Sequence, residues 1–187
     1  QHMDAAVMHF LRHPLTQHLP RKFKLSFSAC ETDCAQGMIH DVGVVAVNND
    51  VRFGFKILAG GGLGHKPREA IVLEEFIEET DLLASLEAII SLHNRYSDRK
   101  KRAKSRIKFL VDRFGADGFI EKYREEYERS KAALSETPYP QADWKAGLPD
   151  GSLINPGAPR KLFAQKQAGL NVIPISVPIG DLTVPQM

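Results

Sequence analysis

The sequence predicts an α/β domain of the α+β type, in which a mainly antiparallel mixed sheet is covered by helices. Two runs, residues 22–28 and 51–58, alternate between polar and apolar side chains with the period of two that is typical of strands. Between them, residues 42–47 form an apolar, β-branched run that indicates a buried strand. From 71 to about 133, apolar residues recur every three or four positions, which predicts helices.

Local signals place the first elements. Residues 4–12 are predicted to form a short helix with Asp4 as its N-cap, ending before Pro14. Residues 31–41 indicate a short helix or helical turn. The polar turn at 48–50 joins the strands on either side of it into a hairpin.

Caps and breakers divide the long helical region. Asp81 is predicted to cap a helix that runs through Leu82 to His93. The apolar residues within 104–114 lie on one helical face, which predicts the next helix. Gly115 ends it, and Asp117 starts another.

The composition changes at Ser135, where prolines and polar residues become frequent. We interpret residues 135–170 as an extended linker and residues 171–179 as one further strand. The predicted organisation is therefore a vector remnant at 1–3, an α/β domain at 4–134, the linker at 135–170, and the start of a second, truncated half at 171–187.

Bulk properties exclude several classes of protein. The chain has 187 residues, a net charge of +2 and 26% charged residues, as in an ordinary globular domain. It contains no apolar run long enough to cross a membrane and no secretory signal. Two cysteines do not make a disulfide framework, so we expect a reducing cytoplasm.

The first candidate site is the strand that begins at Lys22. Period two places Lys22 and Lys24 on one face and Phe23, Leu25 and Phe27 on the other. Two neighbouring cations repel each other, so an anion is a plausible occupant of their face. The alternative is an ordinary solvated face.

A glycine loop follows the hairpin. Gly60, Gly61, Gly62 and Gly64 permit positive φ and let backbone N–H groups approach a ligand closely. The loop lacks the spacing of the nucleotide-binding fingerprints, and a simple turn remains the alternative.

The segment 99–106 carries six cations in eight residues. Three interpretations are open: a nucleic-acid-binding patch, a cradle for a polyanionic small molecule, and a solvated connector balanced by nearby glutamates. The glutamates in question are Glu74, Glu75, Glu78 and Glu79.

Cys30 and Cys34 form a Cys-x3-Cys pair, for which His40 is a possible third metal ligand. Zinc and iron–sulfur clusters normally need four ligands. Two small buried thiols are the simpler interpretation, and no metal ligand is assigned.

Taken together, these motifs resemble the assimilatory sulfite and nitrite reductases, which are sirohaem and iron–sulfur enzymes. The resemblance rests on Leu-Pro-Arg-Lys-Phe-Lys at 19–24, Leu-Ala-Gly-Gly-Gly-Leu-Gly at 58–64 and Arg-Lys-Lys-Arg-Ala-Lys-Ser-Arg at 99–106. It covers about 15–133, and 174–187 resembles the crossing into the second half of those enzymes. It implies the fold of one sirohaem-domain-like half.

The resemblance also implies roles for individual residues. Lys22 and Lys24 would bind the anionic substrate and help to deliver protons, and Arg21 would meet a sirohaem carboxylate. The backbone of Gly60, Gly61 and Gly62 would lie against the macrocycle, and Lys104 and Arg106 would reach its carboxylates. Such cations suit a cofactor with eight carboxylates and a reaction that consumes protons beside a dianion.

The resemblance implies a fragment of a sulfite reductase haemoprotein, which reduces sulfite to sulfide with six electrons at sirohaem coupled to a 4Fe-4S cluster. Plant-type nitrite reductases place Asn at the second lysine position, so Lys24 favours sulfite over nitrite. The four cluster cysteines of the family lie in its second half, and Cys30 and Cys34 do not replace them. We therefore expect the fragment alone to be inactive and to hold neither cofactor. Its expected partners are the missing half, a small anion and an unidentified electron donor rather than nucleic acid or membrane.

Overall fold

The computed structural model describes residues 1–49, 52–139, 163–164, 168–169 and 171–172. It divides the chain into two units, Gln1–Lys145 and Ala146–Met187. In the first unit, four strands form one sheet in sequence order: β1 (Leu25–Ser28), β2 (Val42–Asn48), β3 (Phe53–Ala59) and β4 (Ile71–Ile77). β1 pairs with β2 in parallel, whereas the other two pairings are antiparallel. The predicted mainly antiparallel mixed sheet is confirmed.

The strand register brings two of the predicted motifs together. Val42 at the start of β2 pairs with Ala59 at the end of β3, so Asp41 and Gly60 are neighbours at the same edge of the hairpin. Leu25 pairs with Val42 from the other side. The lysines before β1 and the glycines after β3 therefore flank one point of the sheet.

Four α-helices belong to this unit: α1 (His2–Phe10), α2 (Pro14–Gln17), α3 (Leu82–Tyr96) and α4 (Ile107–Leu134). Single 3₁₀ turns occupy Gly37–Ile39, Glu79–Asp81 and Arg102–Lys104. Gly115 interrupts α4 with a φ of 73°, a conformation that glycine adopts easily because it has no Cβ. The predicted break in the helix is therefore confirmed. None of the described helices is long and apolar enough to cross a membrane.

The main hydrophobic core lies between one face of the sheet and the two long helices. Alternate residues of β2, Val42 and Val44, point into it together with Ile57 of β3, and all three are almost fully buried. The helices contribute Leu86, Ile89, Leu110, Val111, Phe119 and Tyr123. The opposite face of the sheet carries a smaller cluster around Val45, Val47 and Leu58.

Residues 71–77 are a correction to the sequence prediction. They form the strand β4, whereas the helical pattern was expected to begin at Ile71. The segment is rich in β-branched and aromatic residues, and it gains backbone hydrogen bonds by pairing with β3. Glu74 and Glu75 interrupt the strict alternation, and the pairing is irregular there.

Of the two predicted N-caps, Asp4 is wrong, whereas Asp81 is confirmed in position. Asp4 lies inside α1, whose N-cap is Gln1. Asp81 does occupy the N-cap position of α3, but its side chain makes no cap hydrogen bond. It instead accepts a hydrogen bond from Lys131 of α4 at 2.8 Å.

In the second unit, β5 (Phe163–Ala164) pairs antiparallel with β6 (Asn171–Val172). The predicted strand at 171–179 thus begins at its predicted residue, and its remainder lies outside the described residues. β5 falls within the segment interpreted as linker. The proposed boundaries at 3, 134 and 170 stay predictions.

Candidate functional site

Lys22 and Lys24 lie on the extended segment that leads into β1. Both side chains are exposed, whereas Phe23 between them is half-buried and packs against the main core. Strand pairing begins only at Leu25, three residues later than the alternation predicts. Within the described ranges, neither ammonium group has a hydrogen-bond or ion-pair partner.

Asp41 connects the lysine segment with the other two motifs. Its carboxylate is fully buried, and one oxygen, Oδ2, accepts the backbone N–H of Lys24 at 3.0 Å. The other oxygen, Oδ1, accepts from Arg106 Nε at 3.1 Å and Nη2 at 2.9 Å. The Asp41 carbonyl accepts the N–H of Gly60 at 2.9 Å. One buried residue therefore holds the lysine segment, the glycine loop and the end of the basic run.

The sequence reasoning missed Asp41. The only signal was an aspartate directly before a buried β-branched strand. A buried carboxylate is stable only when its oxygens are paired, so such a position indicates partners that lie elsewhere in the chain.

The glycine loop is tightly packed against its own protein. A Cβ on Gly60 would lie 2.6 Å from Cγ2 of Val111, and one on Gly61 would lie 2.3 Å from the carbonyl oxygen of Met38. A Cβ on Gly62 would lie 3.0 Å from two guanidinium nitrogens of Arg106. Close packing within the chain therefore already requires glycine at Gly60 and Gly61, whereas at Gly62 the flexible end of Arg106 would have to move.

Lys108 contacts the far side of this loop, and no sequence motif marks it. Its Nζ donates to the carbonyl oxygens of Leu63, His65 and Lys66 at 3.2, 3.0 and 2.8 Å. Only 2% of the residue is exposed, and burial lowers its pKa below the ordinary lysine value. A buried cation thus replaces water at three loop carbonyls.

Arg21 is half-buried, and His93 of α3 holds its backbone. His93 Nε2 lies 3.2 Å from the Arg21 carbonyl oxygen, and Nδ1 lies 2.8 Å from Ser97 Oγ. Because a carbonyl only accepts, Nε2 carries the proton and Nδ1 accepts from the Ser97 hydroxyl. Burial lowers the pKa of His93, which keeps the ring neutral in this arrangement.

The basic run 99–106 does not act as one uniform patch. Arg99 donates to the carbonyl oxygens of His18 and Asn94, and Arg106 is paired with Asp41. The remaining cations of the run, Lys100, Lys101, Arg102 and Lys104, are exposed. The oxygen Oδ1 of Asp98 accepts hydrogen bonds from the backbone N–H groups of Lys101 and Lys100. These two bonds lower the pKa of Asp98.

The glutamates proposed to balance this run have other partners. Glu75 pairs with Lys56, and Glu78 pairs with Arg52. Burial raises the pKa of Glu74, whose charge interacts with Arg124. Lys104 instead lines an open cavity of about 320 Å³ together with Tyr96, Asp112 and Arg113.

The two cysteines do not form a metal centre in the described part of the chain. Both are free thiols, and Cys34 is exposed rather than buried as expected. The loop around them is held by Asp33, whose carboxylate accepts the N–H of Gly37 at 2.8 and 2.9 Å. Two thiols are too few for an iron–sulfur cluster, so these residues do not fit one.

Comparison with known proteins places this geometry in context. Residues 1–131 match the family described as nitrite and sulphite reductase 4Fe-4S domain. A ferredoxin–nitrite reductase of Leptolyngbya laminosa is 31% identical over 173 residues, which are 92% of this chain and 32% of that protein. A sulfite reductase [NADPH] hemoprotein beta-component of Methylorubrum populi is 32% identical over 133 residues, 66% of this chain and 21% of that protein.

A solved structure, the NirA protein of Mycobacterium tuberculosis, superposes with a TM-score of 0.62 at 28% sequence identity. The match covers 68% of this chain and 23% of that one. The chain thus spans about a third or less of the length of these relatives.

Proposed function

This chain belongs to the nitrite and sulphite reductase 4Fe-4S domain family, and we propose that it is the substrate-binding part of a sulfite reductase. The reaction proposed for the whole protein is the six-electron reduction of sulfite to sulfide. The observation that carries the proposal is the pair Lys22 and Lys24, two exposed ammonium groups without a partner among the described residues.

The lysine pair suits a small oxyanion. Sulfite is a mixture of the monoanion and the dianion near neutral pH, and each S–O bond that breaks releases an oxygen that must take up protons. Ammonium groups at Lys22 and Lys24 both attract the anion and hold protons that can be donated to the leaving oxygen. Asp41 fixes the backbone of Lys24, so the second ammonium starts from a fixed point.

We also propose that this chain contributes side chains to a sirohaem site. Sirohaem carries eight carboxylates, and Arg21 and Lys104 offer side chains that the described structure does not pair with acids. From the family resemblance, we propose that the backbone of Gly60, Gly61 and Gly62 lies against the macrocycle; their Cβ positions themselves face Val111, Met38 and Arg106 of this chain. When bound, sirohaem supplies the iron that holds the substrate and passes electrons to it.

Arg106 receives a different role from Arg21 and Lys104. Its Nε and Nη2 are committed to Asp41, and its guanidinium lies against Gly62. We propose that Arg106 mainly keeps the lysine segment and the glycine loop in register. Any contact with a cofactor carboxylate would use the remaining N–H groups, two on Nη1 and one on Nη2.

The 4Fe-4S cluster is assigned to the rest of the protein, since Cys30 and Cys34 do not fit it. For the electron donor we propose a ferredoxin, because several relatives are named as ferredoxin-dependent enzymes. A cytoplasmic location is proposed because an exposed free thiol at Cys34 persists best in a reducing compartment.

Nitrite reduction is the second candidate, because both nitrite and sulfite reductases are among the relatives. The test replaces Lys24 by Asn in the complete enzyme and measures kcat/KM for both anions. We expect the ratio to shift from sulfite toward nitrite, because a neutral amide suits a monoanion better than a dianion. An unchanged ratio would remove the basis for choosing sulfite.

A further inference from the structure

Three potential metal ligands meet at the junction of three helices, away from the residues discussed above. His9 lies in the last turn of α1, His13 is the N-cap of α2, and Glu87 lies in α3. One ligand atom from each residue lies within 4.8 Å of the other two. Within the described residues this is the only group of three or more histidine, cysteine or acidic side chains with such spacing.

The ligand atoms of the group lie near one another, although not yet at the spacing of a bound cation. His9 Nε2 lies 3.0 Å from Glu87 Oε2, and the two imidazole rings stack with centroids 5.2 Å apart. Ligand atoms of a tetrahedral zinc ion with bonds of about 2.1 Å lie roughly 3.4 Å apart. The largest separation in the group is at most 4.8 Å, so binding an ion would require the ligand atoms to approach one another by about 1.4 Å or less.

The surroundings restrain the ligands without closing the site. The side chains of His9 and Glu87 are 15% and 16% exposed, so solvent reaches the group. The ring of Phe10 packs edge-on against His9 at 4.8 Å and against His13 at 6.0 Å. The two imidazoles are thus oriented by an aromatic neighbour, which reduces the entropy lost when they bind an ion.

We propose that His9, His13 and Glu87 bind a divalent transition-metal ion, zinc by the nature of the ligand set. Two imidazole nitrogens and one carboxylate oxygen are a set that zinc accepts, with water in the fourth position. The site does not depend on the proposed sulfite chemistry, and its expected effect is on the stability of the N-terminal region. It fastens α1 and α2, which precede the lysine segment, to α3.

The N-terminal helices make few buried contacts, so a metal ion that links them to α3 would stabilise them. Ala6 is the only residue of α1 that is fully buried, and Val7, Met8 and Leu11 are more than half exposed. His13 Nδ1 accepts the N–H of Leu15 at 3.3 Å, a long bond that is easily exchanged for one to a metal. A metal ion would add three strong links to a weakly packed N-terminal region.

The test uses the complete 187-residue chain without a histidine tag, stripped of metal by a chelator. Co²⁺ is titrated as a spectroscopic probe and Zn²⁺ by calorimetry, and the melting temperature is measured with and without Zn²⁺. We expect one equivalent to bind, tetrahedral Co²⁺ absorption bands to appear, and Zn²⁺ to raise the melting temperature.

Two variants remove a ligand while preserving the fold. His13→Asn keeps a good N-cap for α2, and Glu87→Gln keeps a hydrogen-bond partner for His9. Each should weaken metal binding at least about tenfold and abolish the thermal shift. His18→Ala removes an exposed histidine outside the group and should change neither. The proposal is overturned if the wild type shows no saturable binding, or if both ligand variants bind as the wild type does.

Discussion

The buried carboxylate of Asp41 accepts two hydrogen bonds from the guanidinium group of Arg106, across 65 residues of sequence. The same carboxylate accepts the N–H of Lys24 through its second oxygen. Since Asp41 is fully buried and the Arg106 side chain is 17% exposed, this pair is largely shielded from solvent. It fixes the relative positions of the three motifs from which function is inferred.

Asp41→Asn should destabilise the domain by about 3 kcal/mol, because it leaves the guanidinium of Arg106 shielded from water without its counter-charge. Urea unfolding followed by circular dichroism gives the free energy of unfolding. Glu75→Gln is the matched control, since Glu75 pairs with Lys56 but is 75% exposed. That change should cost less than about 1 kcal/mol, and equal losses in the two variants would refute a structural role for Asp41.

Gly61→Ala should destabilise the protein by about 1–3 kcal/mol, since the added methyl group must displace backbone. Its Cβ would lie 2.3 Å from the carbonyl oxygen of Met38. Gly118→Ala in α4 is the control, because the nearest atom to its Cβ is 3.7 Å away. Alanine is the better helix former, so this variant should gain about 0.5–1 kcal/mol. The melting temperature of each variant is measured by thermal unfolding. Equal shifts in the two variants would disprove close packing at Gly61.

Lys108→Met should lower the free energy of unfolding by about 1–3 kcal/mol, since it removes the donor from three loop carbonyls but keeps the apolar stem. The loop at 63–66 should also become more sensitive to limited proteolysis. Lys100→Met, which changes an exposed lysine, serves as the comparison and should alter neither property. If Lys108→Met were cleaved at the same rate as the wild type, the loop would hold its conformation without this cation.

His93 should make stability depend on pH in the weakly acidic range. Burial lowers its folded pKa below the ordinary 6.5, so on acidification the unfolded chain takes up a proton before the folded chain does. Stability therefore falls as pH drops from 6.5 toward the folded pKa, and this contribution changes no further below it. In His93→Gln the fall between about pH 7 and pH 5.5 should be smaller. An identical pH profile for the two proteins, measured by urea unfolding, would contradict the assignment of a neutral ring.

Local patterns accounted for much of the fold. The alternation at 22–28 correctly predicted exposed Lys22 and Lys24 around a half-buried Phe23, and the glycine at 115 correctly marked a break in the helix. The strand at 71–77 was mistaken for a helix, because two consecutive glutamates obscure its period and its pairing with β3 is non-local. Periodicity describes neighbours along the chain and carries no information about such partners.

The same limit applies to the candidate site. Asp41 forms hydrogen bonds with Lys24 and Arg106, which lie 17 and 65 positions away in the sequence. Lys108 donates hydrogen bonds to carbonyl oxygens more than 40 positions away. These contacts exist only once the sheet and helices are assembled. The roles of the lysines and glycines stay predictions from motif resemblance, whereas Asp41 and Lys108, which hold these segments in place, became visible only in the structure.

We propose above all that Lys22 and Lys24 bind the substrate anion. The most direct measurement is kcat/KM for sulfite in the complete reductase carrying Lys22→Gln or Lys24→Gln, with Lys100→Gln as an exposed-lysine control. Loss of a charged donor that stabilises the transition state should lower kcat/KM about 100-fold in each, with little change in the control. If both variants retained the kcat/KM of the control, the two lysines would be ordinary surface residues and the proposed site would be wrong.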